Sequence, residues 1–474
     1  METAPESVKV SEVEENRCMI TLPIGYSTPI FELEKTVCSH GLFMMAPNLW
    51  VSSSKTLQRP LRLADATTTV TVRISQHAPS SSLHIWVLGL RSLSLEDQDT
   101  IKAQVARMLR ISKEEDRKIT EFHKIHDVAK ERGFGRVFRS LTLFEDMAKC
   151  ILLCNCQWSR TLSMARALCE LQFELKGAPL GWSTAEAAYL NETFLKADAL
   201  SPKTPAPRES KRKRGKRSKT VTSLIKKFVK NDGNFEIEMN SSINCSHSST
   251  STNKASPSIH TSVEEDSYNM CNSSQLSIDS ATHDCSILDP QSQGGRTSSF
   301  TYRIGDFPSP EELANIDENY LAKRCKLGYR AKRILELARS IVEHRLQIPQ
   351  LEDRAKISDY DELAQQLLGI QGFGRFTCAN VLMCMGFYQS IPADAETIRH
   401  LKQFHARSEC TIQNVHRYVE EIYGKYAPFQ FLAYWLELWD FYEKRFGKMS
   451  EMHHSNYQLI TASNMRTKTP KRVL

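Results

Sequence analysis

At 474 residues with 41% hydrophobic content, the chain has room for two or three domains and a real core, which argues for a soluble globular protein. Its net charge of +7 suits a polyanionic partner without requiring one. Thirteen cysteines, without a signal-peptide-like start or paired secreted spacing, predict reduced thiols in the cytosol or nucleus, and no apolar run reaches membrane-spanning length.

Residues 1–16 are acidic and polar and are expected to be frayed. Over 17–93 the runs CMITLPI, TVTVRI and LHIWVLGL are short, β-branched and bounded by Pro, Ser and Gly, predicting a small antiparallel sheet domain. Between them, Trp50 and Arg59-Pro60-Leu61-Arg62 read either as a DNA-facing edge or as a solvated rim. Helical spacing begins with Ile101, Val105, Met108 and Leu109, and continues with Ile119, Phe122, Ile125 and Val128, opening a helical segment assigned to 94–197. Gly133-Phe134-Gly135 is no nucleotide loop, because no strand precedes it and no Gly-Lys-Ser ending follows. A long apolar helix from Leu143 through Ile151 breaks around Cys154-Asn155-Cys156-Gln157 and resumes to Leu171. Cys150, Cys154 and Cys156 lack a second ligand pair and read as core thiols. The polar Asn155 and Gln157, with Arg160 one turn on, need hydrogen-bond partners, which a helix junction would provide.

From 198 to 300 the composition turns to Ser, Thr, Pro, Asn and Lys, predicting a disordered insert. It carries KRKRGKRSK at Lys211–Lys219, read as a nuclear import signal in preference to a DNA-binding arm or a solvated run, and Leu224 to Val229 as a short partner-binding helix. Order resumes over 301–448. Pro-Ser-Pro-Glu-Glu starts a helix, and Ile334, Leu337, Ala338 and Ile341 share one face of the next, ringed by Arg330, Lys332, Arg333 and Arg339. Ser358 and Asp361 make a weak capping box ahead of Tyr360, Leu363 and Leu367. Gly372 and Gly374 bracket Phe373 in a tight turn, after which Phe376, Ala379, Met383 and Phe387 repeat at helical spacing. The stretch therefore reads as helix, Gly-Phe-Gly hairpin, helix, with amides at the second helix's N-terminus suited to a phosphate. Pro392-Ala393-Asp394 then leads into an amphipathic helix, with Asp394 where an N-cap belongs. Val415, Tyr418, Val419 and Ile422 predict a further helix, and Pro428 a first-turn position before Phe431, Leu432, Trp435, Leu438, Trp439 and Tyr442, an aromatic stripe that by itself reads as core. The tail, 449–474, is expected to be loose.

Helix, glycine hairpin, helix and Pro-x-Asp together resemble the helix-hairpin-helix DNA glycosylase superfamily. The resemblance implies an α+β, mainly α fold: an antiparallel β-sheet domain followed by helical glycosylase domains that the insert interrupts. It implies that Gly372, Phe373, Gly374, Arg375 and Thr377 grip the DNA strand and that Asp394 drives cleavage of the bond between base and sugar. The Asn155 turn and the run Leu327-Gly328-Tyr329-Arg330-Ala331 are similar to segments of 8-oxoguanine glycosylases, where an Asn fills the hole left by a flipped base and an Arg reads its partner. Asn155 and Arg160 match these, with Gln157 beside them, while Cys156 and Gln157 replace further asparagines. The same resemblance places Phe376, Phe431 and Trp435 at the base pocket.

Some relatives use a Lys beyond the hairpin as a Schiff-base nucleophile; here Phe376 stands there, as a bulky aromatic does in the monofunctional alkylpurine branch. Glu396 stands where the 8-oxoguanine branch often has His. The expectation is a monomeric, nuclear, monofunctional glycosylase of base excision repair acting on an oxidised or alkylated purine in duplex DNA, with no cofactor or metal. The nuclear import machinery is the expected second partner, and a noncatalytic hairpin reader of DNA structure is the alternative.

Overall fold

The computed structural model describes residues 17–25, 31–77, 81–176, 304–357, 360–460 and 464. The N-terminal stretch, the insert with Lys211–Lys219 and the Leu224 to Val229 patch, Ser358 and the tail from 461 apart from Asn464 lie outside the described residues, whereas the first part of the expected loose tail, 449–460, is packed, with Met449 and Tyr457 buried. The segments on either side of the insert belong to one unit.

Its N-terminal part is a five-stranded antiparallel sheet in the order β1-β5-β4-β3-β2. The strands are β1 (Arg17–Pro23), β2 (Leu49–Val51), β3 (Thr56–Arg62), β4 (Thr69–Ser75) and β5 (Ser82–Leu88). Period-two alternation drives one face inward: Leu57 and Leu61, Val70, Val72 and Ile74, and Leu83, Ile85 and Val87 are all buried. Each such side chain contributes roughly 1.5–3 kcal/mol by leaving water. Pro60 sits inside β3, where a missing N–H would normally weaken pairing. It is tolerated because the β2 register ends at Gln58, so this half of β3 lacks a β2 partner.

The Arg59-Pro60-Leu61-Arg62 stretch is neither a DNA-facing edge nor a solvated rim. Arg59 shares the inward parity of Leu57 and Leu61 and is 1% exposed. Its guanidinium donates to Glu145 at 3.2 Å and to Asp306 at 3.1 Å, while Lys149 donates to Glu145 at 2.6 Å and Arg62 to Asp306 at 3.2 Å. These charges are matched and hydrogen-bonded, the condition under which ions persist in a core. The network joins strand, helix and the residues just after the insert.

The helices are α1 (Leu33–Val37), α2 (Leu95–Met108), α3 (Lys113–Ile125), α4 (Asp127–Arg132), α5 (Leu143–Leu153) and α6 (Trp158–Lys176). Beyond the insert come α7 (Pro310–Ala314), α8 (Glu318–Arg324), α9 (Arg330–Val342), α10 (Ile348–Ile357) and α11 (Tyr360–Leu368). The chain closes with α12 (Arg375–Cys384), α13 (Ala395–Phe404), α14 (Val415–Tyr423) and α15 (Gln430–Phe446). Ser309 and Glu312 form a reciprocal capping box with Pro310 at the first position of α7.

Two boundary expectations are corrected. The helix through Ile119 stops at His126, whose ring caps α4, and Ile125 and Val128 are exposed. Pro428 precedes α15, which starts two residues later at Gln430 behind Phe429.

Candidate active site

The hairpin joins α11 to α12, and its shape is set by Gly372 and Phe373. Gly372 takes φ +88°, and a Cβ there would meet Arg333 Cγ and Cδ at 2.9 Å, so glycine is required by conformation and by close approach of α9. Phe373 is buried and its N–H donates to the Ile370 carbonyl at 3.0 Å, closing the turn. Gly374 is the N-cap of α12 and brings no side chain to cap it. The first turn of α12, with Arg375, Phe376 and Thr377, thus starts beneath an exposed glycine, an arrangement that favours an external anion.

The other end of α12 is held by Arg110, a residue that the sequence reading passed over. Its guanidinium donates to the carbonyls of Met383 at 2.9 Å and Cys384 at 2.8 Å and pairs with Glu115 at 3.0 Å. A cation at this end also complements the helix dipole.

Against the first turn of α12 lies the turn between α5 and α6: Cys154 Sγ is 3.2 Å from Thr377 Oγ1. Asn155, Gln157 and Arg160 are exposed, and Asn155 adopts φ +46°, a conformation Asn accepts more readily than most residues. The turn's carbonyls are not left to water. Arg330 Nη2 donates to the Asn155 carbonyl at 3.2 Å and to that of Cys154, which also accepts from Tyr329 Oη at 3.2 Å. Arg160 donates to the Lys326 carbonyl at 3.4 Å. Three segments far apart in sequence therefore meet: the Asn155 turn, the Leu327 to Ala331 run and the glycine hairpin. Cys150 is buried as expected, whereas Cys154 and Cys156 are half-buried members of the turn.

Asp394 caps α13. Its Oδ1 accepts from the N–H groups of Glu396 at 2.9 Å and Thr397 at 3.0 Å and from Thr397 Oγ1 at 3.3 Å, and its own N–H donates to Thr397 Oγ1 at 3.3 Å. Tyr434 Oη, 3.0 Å from Thr397 Oγ1, extends the chain of bonds to α15. All the bonds to the carboxylate end on Oδ1, and among the described residues none reaches Oδ2. Asp394 is half-buried, and loss of solvation raises its pKa above the ordinary value against the pull of the Thr397 amide, with the nearby Glu396 charge adding to the rise. Glu396 itself is fixed by Arg399 at 2.6 and 2.8 Å and by Tyr442 Oη at 2.9 Å. An anchored, desolvated carboxylate with one oxygen uncommitted can stabilise positive charge or orient a water.

The aromatic stripe requires a correction. Phe431 has no exposed surface: it stacks on Trp435 at 5.7 Å and on Tyr388 at 6.3 Å, so it offers no face to a base. Trp435 is half-buried, its indole N–H donates to the Ser39 carbonyl at 2.8 Å, and His40 and Trp439 pack against it at 4.3 and 5.6 Å. Phe376 is half-buried.

No family model and no curated protein matches the sequence. Solved structures do. The chain is similar to 3-methyladenine DNA glycosylase from Archaeoglobus fulgidus at 14% identity and TM-score 0.46, covering 90% of this chain and 99% of that one. It is also similar to the 8-oxoguanine glycosylase/lyase of Clostridium acetobutylicum in complex with double-stranded DNA containing cytosine opposite 8-oxoguanine, at 10% identity and TM-score 0.40, covering 86% and 92%. The apo form of the latter gives 10% identity and TM-score 0.42 over 84% and 93%.

Proposed function

We propose that this chain is a DNA glycosylase that hydrolyses the N-glycosidic bond of a damaged purine, oxidised or alkylated, flipped out of duplex DNA, and that it leaves an intact abasic site. The observation that carries the reading is Asp394: a desolvated carboxylate whose Oδ1 is locked by its helix and whose Oδ2 is not, at the start of the next helix after that of the hairpin.

As the base departs, positive charge develops on the sugar. A preorganised carboxylate beside it lowers the barrier electrostatically and then positions the attacking water. The hairpin around Gly372 and Gly374 would hold the distorted backbone at the amides of α12, while Asn155, supported by Arg330, would enter the space the extruded base vacates. Phe376 at the position of the relatives' nucleophilic lysine supports a hydrolytic route. Lys149, in the apolar helix α5, is fully buried and paired to Glu145, which withdraws it from that role. Nuclear import through Lys211–Lys219 and a monomeric state belong to the same proposal.

A second reading has one observation behind it: Asp394 makes a complete capping box, which by itself accounts for an Asp at that place, so the hairpin could serve a noncatalytic DNA reader. Measuring base release from damaged duplexes by the wild type and by Asp394→Asn separates the two. A glycosylase loses turnover in the variant while still binding the duplex; a reader releases no base with either.

A further inference from the structure

Behind the Asp394 helix lies a cluster that neither the hairpin nor the carboxylate uses. His400, in α13, His405, at its C-cap, and Glu437, in α15, each present one donor atom, and the three donors lie within 4.8 Å of one another. His405 Nε2 is 2.6 Å and His400 Nε2 3.3 Å from Glu437 Oε1. Tyr423 Oη, at the end of α14, is 3.0 Å from His405 Nε2 and donates to Glu437 Oε2 at 2.9 Å.

Both imidazoles lie at ion-pair distance from Glu437 Oε1, but the His400 contact lacks hydrogen-bond geometry, so pairing alone leaves the His400 ring poorly satisfied. That residue has no exposed surface, and neither of its ring nitrogens makes a hydrogen bond. A buried polar group without a partner is costly, on the order of 1–3 kcal/mol, and is uncommon in native proteins. Its Nε2 faces the Glu437 oxygen at a separation close to that of adjacent donors around tetrahedral zinc, roughly 3.3 Å for bonds of about 2.0–2.1 Å, whereas the 2.6 Å between His405 Nε2 and that oxygen must lengthen for both to bind the ion. Two imidazoles and one carboxylate suit zinc better than magnesium or calcium, which prefer all-oxygen shells.

The geometry points to a zinc site formed by His400, His405 and Glu437, with Tyr423 or a water as the fourth donor. Such an ion pins the C-terminal end of α13 to α15, fixing the helix whose first residue follows Asp394. The site does not depend on the glycosylase reading, and its test involves no DNA.

The full chain is stripped with a chelator, equilibrated with Zn²⁺ alone, gel-filtered and assayed for metal. The same experiment is run on His405→Gln and Glu437→Gln, both at partly accessible positions, and on His416→Gln as an exposed control. The site predicts one equivalent of zinc in the wild type and the control, its loss in the other two, and an intense four-coordinate visible spectrum when Co²⁺ is supplied instead. Zinc absent from the wild type, equal zinc in all four proteins, or only the faint spectrum of six-coordinate Co²⁺ overturns it.

Discussion

Arg330 donates its guanidinium to the backbone carbonyl of Asn155, tying the turn that would enter the duplex to the first residue of α9. Because Arg330 is buried and also serves the Cys154 carbonyl, its loss removes this donor from the Asn155 carbonyl and leaves the Cys154 carbonyl with Tyr329 Oη. Arg330→Ala is expected to destabilise the fold by about 1–3 kcal/mol in urea unfolding and to weaken binding of duplexes containing an abasic-site analogue. Arg330→Lys should recover only part of either, since an ammonium lacks the fork. Unchanged stability and binding in both variants would remove Arg330 from this role.

Gly372→Ala combines a left-handed conformation with a Cβ pressed against Arg333. The conformation alone costs about 1–2 kcal/mol. Expressed at the hairpin, this corresponds to roughly tenfold weaker binding of duplex DNA at fixed salt. An Ala variant with wild-type affinity would show that the turn does not grip the strand.

Asp394 links activity to pH in a defined direction. Its native pKa lies above the ordinary value, mainly because burial disfavours the charge. The ionised form is the working form, so the acid limb of the base-release profile should fall at a higher pH than that of an ordinary aspartate, about 3.9. Stability runs the other way. A raised native pKa favours the fold fully below the unfolded-state value, and this contribution is lost as pH rises through the native one. Asp394→Asn, which retains a good N-cap, should therefore unfold no more easily than the wild type near neutral pH while losing turnover. Marked destabilisation of the Asn variant at pH 7 would contradict this.

Glu145 is 2% exposed and accepts from both Arg59 and Lys149. Burial pushes its pKa up, but the two cations outweigh it and hold the value at about 2, so the carboxylate stays charged throughout the working range. Glu145→Gln leaves the buried Lys149 without its carboxylate and Arg59 with Asp306 as its one remaining carboxylate, and should cost about 3–5 kcal/mol by denaturant unfolding. A loss below about 1 kcal/mol would show that the network relaxes or admits water.

What could be read in advance was whatever depends on neighbours in sequence. The strands β1, β4 and β5, the Ser309 start of α7, the glycine hairpin and the position of Asp394 at a helix N-terminus all follow from local spacing. Arg59 was read with its neighbours as a DNA-facing edge or a solvated rim, although the alternation Leu57, Arg59, Leu61 places it inward. The contacts that support the site join residues far apart in the chain: Arg110 reaches Met383, Arg330 reaches Asn155 and Arg333 covers Gly372. No periodicity encodes such pairs. The aromatic stripe shows the complementary limit: by itself its spacing reads as core, which the burial of Phe431 bears out, and it was the resemblance that placed Phe431 at a base pocket.

The most direct measurement is single-turnover base release from a panel of duplexes, each with one oxidised or alkylated purine, by the wild type and Asp394→Asn. The prediction is release from at least one duplex by the wild type, with the strand cut only after alkali, and a rate lower by on the order of 10²–10³ in the variant, which still binds. Equal rates in the two proteins, or strands already nicked before alkali, would contradict the account.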